Sequence, residues 1–258
     1  MLCTVTQDLA GVVLASGEGT RLQPLTSYRP KPLCPVANVP LLDHAVARVT
    51  AVTPHVAVNV HYLREQVEAH LAGSHVHVSV EEPQALGTAG ALGHLRPWID
   101  GRDVLLTNGD TWHERGLAPF TDRWDHERVR LLVLPEAARP DFDGQWRYVG
   151  AALIPWRYVS QLRAEPTGLY EVMWRELAEK NLLEFVRAEG MCIPCDTPAD
   201  YLCANLLANG GESSIGAGAS VRGTVQRSVG WPGASVREGE VLIEAIRIGS
   251  DVTVRPFA

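Results

Sequence analysis

Lysine is nearly absent from this chain: two lysines stand against 21 arginines in 258 residues. A composition that uses arginine for almost every positive charge makes each remaining lysine worth explaining. Positive charge as a whole is also short, with 23 Lys and Arg against 30 Asp and Glu and a net charge of −7. That balance argues against a nucleic-acid backbone or an anionic membrane as the main partner. A small phosphorylated ligand stays open, because it needs only a local positive pocket. No apolar run approaches the roughly 20 residues that cross a bilayer. The opening residues, "MLCTVTQDLAGVVLASG", have no basic n-region and their apolar run breaks early, so no signal peptide is expected. Five cysteines, an odd number in a large chain, point to a reducing cytoplasm without a disulfide framework.

What is present is a hydrophobic content of 46%, ample for one large α/β domain with a small appendage. Strands are expected at Ala10–Ala15, His55–Val60, Val76–Val80, Val104–Thr107 and Val129–Leu134, several apolar enough for burial on both faces. Leu41–Thr50 places Leu41, Leu42, Ala45, Val46 and Val49 on one helical face. Leu63–Ala72 and Thr88–Leu95 also read as helices. Strand, helix, strand, repeated, predicts a Rossmann-like, mostly parallel sheet covered by helices over residues 1–208. From residue 209 to 258 the texture changes. Small apolar residues recur about every six positions, at Ile215, Val221, Val229, Val236 and Val241, with glycines between them. That recurrence resembles a left-handed parallel β-helix, here a stub of two-odd coils that must pack on the rest of the chain or on a second subunit. Its open end makes a homo-oligomer the expected state.

"LASGEGTRLQPLTSYRPKPLCPV", Leu14–Val36, holds one of the two lysines together with two glycines and four prolines. It follows a buried strand, so its loop belongs at the carboxyl end of the sheet, where open α/β sheets bind ligands. Gly17 and Gly19 let backbone N–H groups approach an anion. No Gly-Lys-Ser/Thr follows, which excludes a Walker A loop, and the third glycine of a dinucleotide fingerprint is missing. Arg21 offers a planar fork for phosphate, Lys31 a compact point charge. Pro24, Pro30, Pro32 and Pro35 are expected to keep the segment extended and stiff.

The same 23 residues match, at every fixed position, L-A-x-G-x-G-T-R-L-x-P-L-T-x-x-x-P-K-P-L-x-P-V, and so resemble the signature of the sugar-1-phosphate nucleotidylyltransferases. "EEPQALGTAGAL" (Glu81–Leu92) is similar to the family's nucleotide-base loop. "LLTNGD" (Leu105–Asp110) resembles the strand end carrying its magnesium aspartate, "YVGAALIP" (Tyr148–Pro155) its sugar-pocket strand, and "DTPADYLCANL" (Asp196–Leu206) its closing helix. The resemblance implies a nucleoside triphosphate and a sugar 1-phosphate as substrates, with Mg²⁺ as cofactor. It assigns catalysis to Arg21 and Lys31, and the nucleotide to Leu14, Ala15, Gly17, Gly19, Thr20, Gln84, Gly87 and Thr88. The sugar phosphate falls to Asn108, Gly109, Tyr148 and Gly150, and the metal to Asp110 and Asp196. The wording "LGTAGAL" points to guanylyl transfer onto mannose 1-phosphate, with uridylyl, thymidylyl and cytidylyl transfer as alternatives.

Two departures from the pattern keep a rival class open, a catalytically silent nucleotide-binding subunit. Where the family carries its second metal aspartate this chain has Pro194, and Asp196 stands two residues later, as a shifted ligand or as a helix cap. The family's Glu-Lys-Pro lysine is also missing, and Arg139 and Arg147 are the cations nearest to its place. Cys192, Cys195 and Cys203 bring three thiols without a fourth ligand, so they do not read as a zinc site.

Overall fold

The computed structural model describes residues 9–257; the opening stretch read for a leader lies partly outside the described residues. β1 (Leu9–Leu14) is buried along almost its whole length, as its unbroken apolar run predicts. It pairs in parallel with β2 (Val56–Val60) on one side and β4 (Asp103–Asn108) on the other. β3 (His77–Val80) extends the parallel edge beyond β2. Past β4 the sheet takes one antiparallel strand, β6 (Trp146–Ile154), which pairs with both β4 and β5 (Val129–Pro135). β7 (Leu183–Arg187) closes the far edge in parallel with β5. The resulting order is β7-β5-β6-β4-β1-β2-β3, six strands in one direction and one reversed.

Neighbours in a strand point to opposite faces, so β1 feeds two apolar layers. Val13 joins Leu42, Ala45 and Val49 of helix α1 (Leu41–Thr50) and Val67 of α2 (Arg64–Leu71). Val12 joins Leu92, Leu95 and Ile99 of α3 (Gly87–Ile99) on the other face. Helix α3 runs past the expected end at Leu95, through Pro97, because Ile99 still buries fully against the sheet.

The proline-rich segment departs from its expected extended form. Thr20–Leu22, Leu25–Ser27 and Lys31–Leu33 are three successive 3₁₀ turns, followed by a hairpin of Pro35–Val36 with Val39–Pro40. Pro32 is tolerated because the first residues of a short turn have no intrahelical use for an N–H, and the turn closes by Leu33 N–H to Pro30 O at 2.9 Å.

After the closing helix, Pro198–Ala208, short strands make three parallel ladders. Ser214–Ile215, Val229–Gly230 and Ile246–Ile248 form the first, Ser220–Val221 with Ser235–Val236 the second, and Thr224–Gln226 with Val241–Ile243 the third. Val252–Val254 turns back antiparallel along Ile246–Ile248 and covers that edge. Only part of the expected apolar recurrence points inward: Val229 and Val236 are buried, whereas Ile215, Val221 and Val241 are exposed and Leu242 fills the interior. Adjacent residues of a strand alternate, so a six-residue count slips faces whenever a turn gains or loses a residue. Val229, Trp231, Ile246 and Ile248 pack against Leu22, Leu25, Val36, Leu41, Tyr201 and Leu202 in one shared cluster. No helix among the described residues is long and apolar enough to cross a membrane.

Candidate active site

The loop leaving β1 is held by a polar chain buried beneath it. Asn59, in the otherwise apolar β2, accepts the Ala15 N–H through Oδ1 at 2.8 Å. Its amide donates to Ser16 Oγ at 3.1 Å and to Glu81 Oε1 at 2.7 Å. Glu81 is fully buried, and its second oxygen accepts the Leu86 N–H at 2.8 Å. A buried carboxylate is stable only with such donors. Neither residue was among the sequence candidates; the visible signal was a lone Asn inside "HVAVNV". Gly19 sits at φ +63°, and a Cβ there would lie 2.9 Å from Lys31 Cβ, so glycine lets the two halves of the loop close on each other.

Lys31, 5% exposed, donates from Nζ to Asp110 Oδ2 at 2.6 Å and to Asp196 Oδ1 at 2.7 Å. Arg21 reaches Asp196 Oδ2 at 3.2 Å with its side chain 74% exposed. Burial alone would lower the Lys31 pKa, but the charges and hydrogen bonds of Asp110 and Asp196 raise it above its ordinary value. Taking an ammonium out of water costs several kcal/mol, so a single weak partner would not hold it there. The two carboxylates are aligned by a small ribbon. Thr111–His113 pairs antiparallel with Cys192–Pro194, and the Cys195 N–H donates to Asp110 O at 3.0 Å. Asp196 is not a helix cap. Thr197 caps Pro198–Ala208 in a capping box with Asp200, leaving the Asp196 carboxylate for the two cations.

Leu14, Ala15, Gly17, Gly19, Thr20, Arg21, Lys31, Pro32, Asp110 and Asp196 line one cleft. Asn108 and Gly109 border it: the Gly109 N–H donates to Leu14 O at 2.8 Å, fastening the end of β4 to that of β1. Gly150, at φ +83°, lies where a Cβ would meet Asn108 and Thr111 at 3.1 to 3.3 Å. The Tyr148 hydroxyl is buried without a hydrogen-bond partner, and burial, then the Asp110 charge, push its pKa up. Gln84, Gly87 and Thr88 stand outside the cleft's lining. Gln84 is exposed, and Thr88 Oγ1 accepts the Leu169 N–H at 2.8 Å. Gly87, Gly90 and Gly93 press α3 against the backbone of 163–167; a Cβ would fall 2.6, 2.2 and 2.2 Å from Thr167 O, Glu165 O and Arg163 O.

No group of three or more His, Cys, Asp or Glu side chains gathers around a metal position among the described residues. Two carboxylates do converge, with side chains 32% and 22% exposed. This suits a hard cation that takes one or two carboxylates and fills its shell with water and phosphate oxygens.

Residues 10–139 match the nucleotidyl transferase family. The chain is also 31% identical over 227 residues to N-acetylmuramate alpha-1-phosphate uridylyltransferase of Caulobacter vibrioides, across 75% of this chain and 94% of the relative. The chain belongs to the sugar-1-phosphate nucleotidylyltransferase family. It is an enzyme of that class rather than a silent binding subunit. Mannose-1-phosphate guanylyltransferase of Mycobacterium tuberculosis is 34% identical over 122 residues, 45% of this chain and 34% of the relative. A solved structure of CTP:phosphocholine cytidylyltransferase from Streptococcus pneumoniae shares the fold, with a TM-score of 0.62 at 18% identity over 78% of this chain and 99% of that one.

For a nucleotidylyltransferase, the two departures now have positions. Pro194 is taken up in the ribbon opposite Thr111, and the carboxylate facing Asp110 comes from Asp196. Between β5 and β6 no lysine is present. Arg147, at the start of β6, is half exposed and stands 4.0 Å from Glu136.

Proposed function

We propose that this enzyme transfers a nucleotidyl group from a nucleoside triphosphate to a sugar 1-phosphate, releasing pyrophosphate and giving a nucleoside-diphosphate sugar. The observation that carries the reading is the Lys31 ammonium held between Asp110 and Asp196 beside an exposed Arg21, on a loop with open backbone at Gly17. The acceptor phosphate is already an anionic nucleophile, so no general base is needed. What the reaction needs is two polyanions brought into line against their repulsion. Lys31 has three N–H donors and two carboxylate partners, which leaves one for phosphate oxygen. As a compact point charge it would lie between the α-phosphate and the acceptor phosphate and offset their mutual repulsion. Arg21, with its fork in solvent, takes the β- and γ-phosphates and the departing pyrophosphate. Asp110 and Asp196 would hold Mg²⁺, which supplies charge neutralisation on the phosphate oxygens when bound.

Uridine triphosphate is the donor we favour. The relative spanned over 94% of its length is named a uridylyltransferase. The glycines of "LGTAGAL", which pointed to guanine in the sequence, are already required by the close backbone packing of α3, so their presence does not by itself favour guanine. The C-terminal strands, 209–258, are read as a second, small unit, a left-handed β-helix stub; the three parallel ladders support this. A screen of pyrophosphate release with each nucleoside triphosphate against a panel of sugar 1-phosphates tests the whole reading. Release only with UTP and a hexose 1-phosphate is the expected result, and no release with any pair would overturn it.

A further inference from the structure

We propose that the C-terminal strands position the Lys31 loop through Trp231 and Tyr201, which makes these two residues part of the transfer site's alignment rather than of its packing alone. The inference rests on the role given to Lys31 above.

The loop has little structure of its own. Between Pro30 and Pro40 it makes one three-residue 3₁₀ turn and a hairpin of two residues a side. So few backbone bonds do not fix a register, and Lys31 has to deliver its ammonium to one point between two carboxylates. The fixing comes from outside. Trp231, 3% exposed and next to the strand Val229–Gly230, donates its indole N–H to Tyr201 Oη at 2.9 Å. The fully buried Tyr201 hydroxyl donates in turn to the carbonyl of Pro35, four residues beyond Lys31. Asn205, one helical turn along from Tyr201, donates to the same carbonyl at 3.4 Å and accepts the Ala37 N–H at 3.1 Å. On the near flank of the loop the Arg29 guanidinium stands 4.8 Å from the centre of the Trp231 ring. At the hairpin tip Asn38 donates to Ile215 O at 3.1 Å. The segment is thus tied on both sides of Lys31 to the C-terminal strands, directly or through the helix they cover.

A purely apolar contact tolerates sliding by an ångström; a buried relay ending on one carbonyl does not. Misplacing a catalytic group by about 1 Å costs up to roughly a hundredfold in rate. The relay therefore converts the fold of the C-terminal strands into accuracy at Lys31.

The test uses Tyr201→Phe and Trp231→Phe in the full chain, with Leu206→Ala as a comparison that empties the same cluster without touching the relay. Backbone hydrogen exchange at Leu33 and Cys34, whose N–H groups close the Lys31 turn, reads the brace without any reaction. Turnover per site, with sites counted calorimetrically by binding of magnesium-UTP, reads its consequence. We expect exchange at these amides to rise at least tenfold in both Phe variants. Turnover per site should fall roughly tenfold at unchanged KM for the triphosphate, by the same alignment argument. Leu206→Ala should lower Tm and leave turnover per site as it is. Unchanged exchange, unchanged turnover per site, or an equal loss in Leu206→Ala would each overturn the proposal. A wild-type chain without transfer would overturn the transferase reading, and the exchange measurement would still decide the brace.

Discussion

Asp110 and Asp196 grip one ammonium, that of Lys31, at 2.6 and 2.7 Å from the ends of two paired strands. The two acids are unequal: Asp196 also meets Arg21, whereas Asp110 directly leaves the central sheet after β4. Asp110→Asn is expected to abolish transfer at ordinary magnesium, with partial rescue by excess Mg²⁺ or by Mn²⁺. Asp196→Asn should raise the magnesium needed for half-maximal rate by about tenfold, the equivalent of ~1.4 kcal/mol. Titration of initial rate with magnesium checks both. Wild-type metal dependence in the Asp110 variant would remove the metal assignment.

Lys31→Ala leaves two carboxylates facing each other with their shared cation gone. Removing a partner from polar groups in a partly buried site costs about 1–3 kcal/mol. Denaturant melts should show that loss in EDTA and show magnesium restoring part of it, a dependence the wild type lacks at the same strength. A variant as stable as wild type in both conditions would contradict the shared-cation arrangement.

Arg21→Ala should separate chemistry from folding. The side chain is 74% exposed and its ion pair with Asp196 adds little stability. Turnover should drop on the order of a hundredfold, because the lost charge acts on the departing pyrophosphate. Tm should stay within a degree or two, checked by calorimetry on the same preparation.

His113 gives the protein an acid-sensitive point away from the cleft. Burial first, and then the neighbouring Arg48 charge, push its pKa down to about 3. The folded state therefore favours the neutral ring. Its contribution is complete above the ordinary histidine range and is lost as pH falls from about 6.5 towards 3, by roughly 1.4 kcal/mol per pH unit. His113→Gln should flatten the stability curve between pH 6.5 and 4, measured by urea melts at each pH. An unchanged slope would show that other groups carry the acid response.

Two glycines should fail in opposite ways. Gly17 has open space around a would-be Cβ, so Gly17→Ala should fold normally and weaken triphosphate binding. Gly90→Ala would put a methyl 2.2 Å from Glu165 O, forcing the backbone of 163–167 away at a cost of about 1–3 kcal/mol. Melting curves and nucleotide titrations distinguish the two.

The sequence disclosed the charged half of the site well and its supports poorly. Arg21, Lys31 and Asp110 were legible because glycine, proline and basic residues stand at fixed spacings after a buried strand. Asp196 was legible only as an ambiguity. Its place beside a helix start fitted a cap as well as a ligand, and only the structure shows Thr197 taking the cap and freeing the acid. Asn59 stood out as a lone amide in an apolar strand, but its partner Glu81, just past the end of β3, could not be read from either segment alone. The expected stiff, extended proline segment was wrong for a related reason: proline fixes φ near −65°, which serves a 3₁₀ turn as well as an extended chain. The recurrence in the C-terminal strands did not say which residues face inward: Val229 and Val236 do, whereas Ile215, Val221 and Val241 face solvent.

The ionised groups of the cleft, Asp110 and Asp196 against Lys31 and Arg21, cancel one another before any ligand arrives. Around them lies a chain with a net charge of −7. Long-range attraction therefore does little to draw in a free triphosphate, and the surrounding field repels it. A triphosphate already neutralised by its metal meets a much smaller barrier. Association should then be slow beside steered encounters and rise, rather than fall, with ionic strength, as added salt screens the repulsion within a Debye length of about 10 Å at 0.1 M.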